Sequence, residues 1–302
     1  MNLTNFSVRQ SKVTLIHGDS RLCLNSLPDQ SIQCIITSPP YWNLRDYGSS
    51  DQIGAEPTSL EYINNLVRVF REARRVLADN GTAWIVIADT YQKTISSNSI
   101  KIKDLVGIPW MLAFALRDDG WFLRNDIIWE KPNVYPESAK DRCTRSHEYI
   151  FLLSKSSQYY FDSDAIREPF ATADPSSPSY RKNGKSDSRK KHSKIALQSL
   201  SNIKSLVKDS GFWKPNKAGR NKRTIWRVNT KQYKGAHFAV YPPDLILPCV
   251  LAGSKEGDTI LDPFNGSGTT GEVAILNNRS YIGCDVNPKY INLTKQRLVC
   301  LI

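Results

Sequence analysis

The segment Asp262-Pro263-Phe264-Asn265-Gly266-Ser267-Gly268-Thr269-Thr270-Gly271 sets three glycines in a G-x-G-x-x-G spacing, with Asp285 further on. Glycine lets the backbone approach a ligand, and a helix that opens there offers free N–H groups to an anionic group. An acid closing the next strand, the place of Asp285, can accept both hydroxyls of a ribose. This segment alone fits a nicotinamide dinucleotide or S-adenosylmethionine, and a tight turn that binds nothing is the plain alternative. Asp262, ahead of the glycines, would repel a pyrophosphate and welcome an ammonium group, which tilts the reading towards the amino-acid end of S-adenosylmethionine. A second constellation is Thr37-Ser38-Pro39-Pro40-Tyr41-Trp42. Its prolines fix φ and lack N–H groups, so the carbonyls of Ser38 and Pro39 can face outward as acceptors. Ser38 adds a hydroxyl acceptor, and Tyr41 and Trp42 add flat apolar faces. In isolation Pro-Pro-Tyr reads equally as a rigid turn with packed aromatics.

Such groups need strand ends to hold them. Val13–Ile16 and Ile32–Ile36 are predicted to be short buried strands rich in β-branched residues. Leu60–Leu77 carries the three-four spacing of an amphipathic helix, with Asp79-Asn80-Gly81 expected to stop it before strand Thr82–Ala88. Pro109–Leu116 reads as a helix, and Ile127–Trp129 and Tyr149–Leu153 as strands. Later come helix Pro242–Leu251, strand Thr259–Leu261, the Gly-rich turn, helix Thr269–Leu276, strand Tyr281–Cys284 and helix Pro288–Leu298. The alternation predicts an α/β fold with a doubly wound, mostly parallel sheet.

The chain has 302 residues, 40% of them hydrophobic and 23% charged, enough for one large α/β domain or two smaller ones. Its longest apolar run, Trp110–Leu116, is far short of a membrane span, and the N-terminal residues lack the apolar block of a secretory signal. Six cysteines stand singly, which argues against a zinc knuckle and suggests no disulfide framework. A soluble, reduced, cytoplasmic protein without a metal is expected. Between Ala171 and Arg223 there are fourteen Lys and Arg against three acids, so this stretch holds most of the net charge of +12. Such clustering suits phosphate neutralisation, although a solvated linker has the same composition.

Taken together, Ser38-Pro39-Pro40-Tyr41 and Asp262-x-Phe264-x-Gly266-x-Gly268 resemble the amino-methylating DNA methyltransferases. Further blocks that look like the family are His17-Gly18-Asp19-Ser20, Ile128–Asn133, Arg145–Tyr149 and His237-Phe238-Ala239-Val240-Tyr241-Pro242. The motif order, catalytic first and cofactor last with the basic insert between, is similar to the β subgroup, whose target recognition region lies there. The resemblance implies a Rossmann-like, seven-stranded-type methyltransferase sheet. Its expected divisions are a catalytic half (1–165), a basic target-recognition insert (166–230) and an S-adenosylmethionine-binding half (231–302). It implies site-specific transfer of a methyl group from S-adenosylmethionine to N4 of a flipped-out cytosine in double-stranded DNA, within a restriction–modification system.

In that reading Ser38, Pro39, Pro40 and Tyr41 are the catalytic residues: Ser38 and Pro39 accept the amine N–H groups, and Tyr41 stacks on the base. Asp19, His237, Phe238, Asp262, Phe264, Gly266, Gly268, Thr269, Thr270 and Asp285 hold the cofactor. Arg181, Lys182, Arg189, Lys190, Lys191, Lys214, Arg220 and Arg223 contact DNA. Adenine N6 is the alternative target, since relatives that methylate adenine usually carry Asp where Ser38 stands. A nicotinamide-dependent oxidoreductase would leave Ser-Pro-Pro-Tyr and the basic insert without a role. Pro248-Cys249, a dipeptide that carries the nucleophile in carbon-5 methyltransferases, falls inside a predicted helix away from any substrate loop. A partner endonuclease, the DNA sequence read, and a monomeric or homodimeric state stay open.

Overall fold

A computed structural model describes residues 1–44, 52–93, 100–169, 218–230 and 240–301. Among them, nine strands form one sheet in the order β1-β2-β9-β8-β3-β4-β6-β5-β7. These are β1 (Asn2–Val8), β2 (Ser11–His17), β3 (Ile32–Thr37), β4 (Leu77–Ile87), β5 (Phe122–Glu130), β6 (His147–Ser154), β7 (Ile225–Arg227), β8 (Thr259–Asp262) and β9 (Ser280–Asp285). The run β2-β9-β8-β3-β4 is parallel throughout, and β6 is antiparallel to both β4 and β5. The expected seven-stranded sheet is therefore present, with β1 and β7 added at its two edges.

Two helix layers cover the sheet. The first holds α1 (Ser20–Asn25), α2 (Ser59–Val76) and α3 (Ile108–Asp118); the second holds α4 (Pro243–Gly253), α5 (Thr269–Leu276) and α6 (Pro288–Val299). Successive strand residues point to opposite faces, so Ile35, Ala83 and Ile85 share a core with α2 and α3. The alternate residues Cys34 and Trp84 instead meet Gly253 of α4, where a Cβ would lie 2.7 Å from the Cys34 sulfur. α2 follows from its sequence: Thr58 Oγ1 caps it by accepting from the Glu61 N–H (3.2 Å), and Arg74 and Arg75 occupy the last turn.

The expected stop at Asp79-Asn80-Gly81 is absent. β4 starts at Leu77, directly after α2, and runs through those residues. Two steps along β3, from Ile32 to Cys34, match five along β4, from Leu77 to Thr82, so a bulge absorbs the turn-forming residues. Gly81 sits there because a Cβ would fall 2.9 Å from the Gln33 carbonyl.

The sheet and its helices belong to a compact unit of Met1–Ala165 and Arg223–Ile302, and Ile166–Lys222 form a second unit. β7 lies within the expected 166–230 insert but is a sheet strand, its buried Trp226 packing 6.4 Å from Trp84 between ring centroids. The described part of the second unit is a bridge between Glu168 and Arg220, with Arg220 and Lys222 both paired to the Glu168 carboxylate. No helix among the described residues is long and apolar enough to cross a membrane.

Candidate active site

β3 and β8 are neighbours, Ile35 opposite Leu261, although more than two hundred residues separate them in the chain. From this pair the order reverses: β3 leads through α2 to β4 on one side, and β8 leads through α5 to β9 on the other. Loops leaving the carboxyl ends of strands at such a reversal diverge and leave a crevice. Both sequence motifs sit there, one at the end of each strand, around a cavity of about 750 Å³.

Asp262 joins the two loops. Its carboxylate accepts from Thr37 Oγ1 (2.6 Å), Thr270 Oγ1 (2.7 Å), Tyr241 Oη (3.1 Å) and the Phe264 N–H (3.1 Å). Burial pushes its pKa up, and these four bonds pull against that. Asp262 was expected to meet an ammonium group, and its partners here all come from the protein. The side chain is fully buried, does not line the cavity, and spends its acceptor capacity tying β3 to β8.

At the cofactor end Gly266 lies in the left-handed region (φ +51°), and its N–H donates to Asp285 Oδ2 (2.8 Å). Asp285 Oδ1 accepts from the Asn287 N–H (2.8 Å), which fixes the carboxylate against the cavity wall. Burial pushes its pKa up to about 7. Phe264, Thr269 and Asp19 line the same space. For Asp19, burial alone would raise the pKa, but a two-pronged hydrogen bond from Arg21 (2.9 and 3.0 Å) holds it below the usual carboxylate range. Gly268 and Thr270, two further expected cofactor residues, stand behind the wall. Thr270 is fully buried on Asp262, and a Cβ on Gly268 (φ +76°) would fall 2.5 Å from Thr294 of α6.

At the other end Ser38, Pro39, Pro40 and Tyr41 all line the cavity. The Pro40 carbonyl accepts from Tyr62 Oη (2.8 Å), whereas the Pro39 carbonyl has no donor among the described residues. Ser38 Oγ donates to Tyr41 Oη (3.3 Å), and Tyr41 Oη donates to Glu148 Oε2 (2.7 Å). Lys131 closes the chain with an ion pair to Glu148 Oε1. Sequence reasoning gave neither Glu148 nor Lys131 a role, although both lie in the blocks at Ile128–Asn133 and Arg145–Tyr149. Charged residues at the facing ends of two strands, β5 and β6, were the available signal. Cys249 is buried in α4 and does not line the cavity. Arg220 is paired to Glu168 and Arg223 is exposed. His237, Phe238, Arg181, Lys182, Arg189, Lys190, Lys191 and Lys214 lie outside the described residues.

Residues 32–296 match the DNA methylase family, that of the N6 and N4 methyltransferases. The chain belongs to this family. The methylase is 43% identical to the type II methyltransferase M.Cfr9I of Citrobacter freundii, over 94% of this chain and 87% of that protein. Its fold matches a putative DNA modification methylase of Thermus thermophilus, solved in complex with S-adenosyl-L-methionine, with a TM-score of 0.59, 25% identity and 95% of each chain covered. It also matches the cytosine-N4-specific PvuII DNA methyltransferase with a TM-score of 0.64 at 17% identity, over 96% of this chain and 90% of that one. The cofactor of this methylase family is S-adenosylmethionine. The residues present fit it: Asp285 is a buried carboxylate that would accept ribose hydroxyls, Phe264 offers a flat face, and among the described residues no side chain screens the backbone at Gly266.

Proposed function

We propose that this methylase transfers a methyl group to N4 of a cytosine flipped out of double-stranded DNA, as the modifying partner of a restriction endonuclease in the cytoplasm. One observation carries the reading: Ser38, a short hydroxyl acceptor, and the Pro39 carbonyl, which meets no donor among the described residues, share one wall of the cavity that Asp285 and Phe264 line. When bound, S-adenosylmethionine supplies an electrophilic methyl group on a positively charged sulfur. Asp285 accepts its ribose hydroxyls, Phe264 packs against it, and Asp19 accepts from its adenine amino group. An exocyclic amine is a poor nucleophile because its lone pair is delocalised into the ring. Ser38 Oγ and the Pro39 carbonyl each accept one N–H, which favours the pyramidal nitrogen that attacks. The effects at work are orientation and preorganised acceptors.

A base inside a duplex cannot reach this crevice, so it is extruded, and Tyr41 offers the ring on which it stacks. Arg181, Lys182, Arg189, Lys190, Lys191, Lys214, Arg220 and Arg223 supply phosphate contacts from the basic region, with the Arg220 charge shared with Glu168. The serine is what favours cytosine: a longer acid at position 38 is the usual residue in adenine-methylating relatives. Plasmid DNA incubated with the protein and S-adenosylmethionine, digested and analysed by nucleoside mass spectrometry, should yield N4-methylcytosine. N6-methyladenine would overturn the base assignment, and no methylated nucleoside would overturn the reaction.

A further inference from the structure

An amine that gains a methyl group must lose a proton, and the Ser-Pro-Pro-Tyr wall shows where it can go. Ser38 Oγ donates its hydrogen to Tyr41 Oη (3.3 Å), which leaves its lone pairs for an incoming N–H. Tyr41 Oη turns its own hydrogen to Glu148 Oε2 (2.7 Å). Both donors therefore point one way, from Ser38 through Tyr41 to a carboxylate that is 8% exposed. The other Glu148 oxygen holds Lys131, whose ammonium lies 4.3 Å from the Trp129 ring centroid and whose backbone N–H donates to the Ser146 carbonyl (2.7 Å). Burial, followed by the charge of Glu148, pushes the Tyr41 phenol well above its ordinary range, so it stays protonated as a donor. A buried ion pair of this kind does little for stability compared with apolar side chains of the same size. Its position at the cavity wall asks for another explanation.

We propose that Ser38, Tyr41 and Glu148 form a proton relay for the target amine, with Glu148 as the acceptor and Lys131 holding it in place. As the nitrogen–carbon bond forms, the carbon–sulfur bond breaks and its electron pair stays on sulfur. One amine proton passes to Ser38 Oγ, the Ser38 proton to Tyr41 Oη, and the Tyr41 proton to Glu148 Oε2. Ser38 and Tyr41 end with the hydrogens they began with. The sulfur loses its positive charge, Glu148 loses its negative one, and the amine stays neutral. Glu148 returns its proton to water once the products leave. Glu148 and Lys131 act only through Tyr41 and Ser38, so they are positioning and relay residues. The relay rests on the reading that Ser38 meets the amine, but it serves cytosine and adenine equally.

Single-turnover methylation of DNA in H₂O and in D₂O tests it with Glu148→Gln, which keeps an acceptor for Tyr41 but takes no proton, and with Tyr41→Phe, which keeps the ring. The wild type should slow in D₂O. Either variant should lose roughly 100-fold in rate, the order of a general-base contribution, together with the D₂O effect. The double variant should be no slower than the worse single one. Calorimetric affinity for S-adenosylmethionine should stay at the wild-type value in Glu148→Gln, which reports an intact fold. Infrared difference spectra after one turnover should show a new protonated carboxyl band, absent from Glu148→Gln. Glu148→Gln at wild-type speed would overturn the relay. So would a slow Glu148→Gln that keeps the D₂O effect, since Glu148 would then only hold the Tyr41 ring. A wild type that binds S-adenosylmethionine yet methylates no DNA would overturn the functional reading, and the relay with it.

Discussion

On the proposed reading, in which Asp285 accepts the ribose hydroxyls, cofactor binding depends on pH. With a pKa pushed up to about 7, its carboxyl is protonated in mild acid and then offers fewer acceptor lone pairs to ribose hydroxyls. Affinity for S-adenosylmethionine should rise with pH through about 7 and level off above it. Asp285→Asn should bind more weakly and show no such rise, as calorimetric titrations at a series of pH values would reveal. The same group acts on stability with the opposite trend. Its folded pKa lies above the ordinary 3.8, so the native state holds the extra proton. Its contribution to stability is full below about 4 and is lost as pH rises through about 7. Ser38→Ala should leave cofactor and DNA affinity intact while the methyl-transfer rate falls by on the order of ten- to a thousandfold, read in single turnovers, because the lost bond helps most in the transition state. That Ser38, Tyr41, Phe264, Gly266, Thr269 and Asp285 line one cavity was legible in the sequence because motif spacing reports on it. Glu148 was harder to find, since its only signal was a charge at a strand end facing Lys131, and its bond to Tyr41 spans 107 residues. The bonds of Asp262 to its own neighbours were not legible, because an acid at the tip of a four-residue strand looks the same whether it faces a ligand or those neighbours.

At the scale of elements, the bond from Thr37 to Asp262 is what holds the two motif loops side by side. Thr37→Val keeps the shape and removes the donor, leaving a buried carboxylate short of one partner. A loss of about 1–3 kcal/mol is expected in denaturant unfolding, with a weaker cofactor affinity as Phe264 and Ser38 lose their common anchor. Elements built on β-branched runs or on three-four spacing could be read directly, and helix Thr269–Leu276 has the expected ends. Asp79-Asn80-Gly81 misled because turn-forming residues also suit a bulge, and only the pairing of β3 with β4 decides between them. β1 and β7 were missed for a related reason. β1 has apolar residues only at Leu3, Phe6 and Val8, at an exposed edge, and is a strand because β2 pairs with it, while β7 is three residues long inside a basic stretch. Their sequences carry little preference of their own.

Across the whole molecule, charge is segregated: the basic stretch holds most of the positive excess, and the remainder is close to neutral. Replacing Arg189, Lys190 and Lys191 together by Gln should weaken DNA binding and flatten its salt dependence, the log–log slope falling by about 0.9 in magnitude for each phosphate contact removed. Binding isotherms over a range of salt would show it, and an unchanged slope would make that cluster a solvated linker. The position of β8 between β3 and β9 has a consequence of a different kind, for the order in which the protein can be made. β3 leaves the ribosome early, and β4 soon covers one of its edges. The other edge waits for Thr259–Asp262, and at roughly 5–20 residues per second that interval is on the order of ten seconds or more. During it a row of unpaired N–H and carbonyl groups flanked by Ile32, Ile35 and Ile36 stands open to other chains. A nascent chain halted before Thr259 therefore has a sticky sheet edge and no cofactor site, so methylation begins only once the last strands have slotted into the gap.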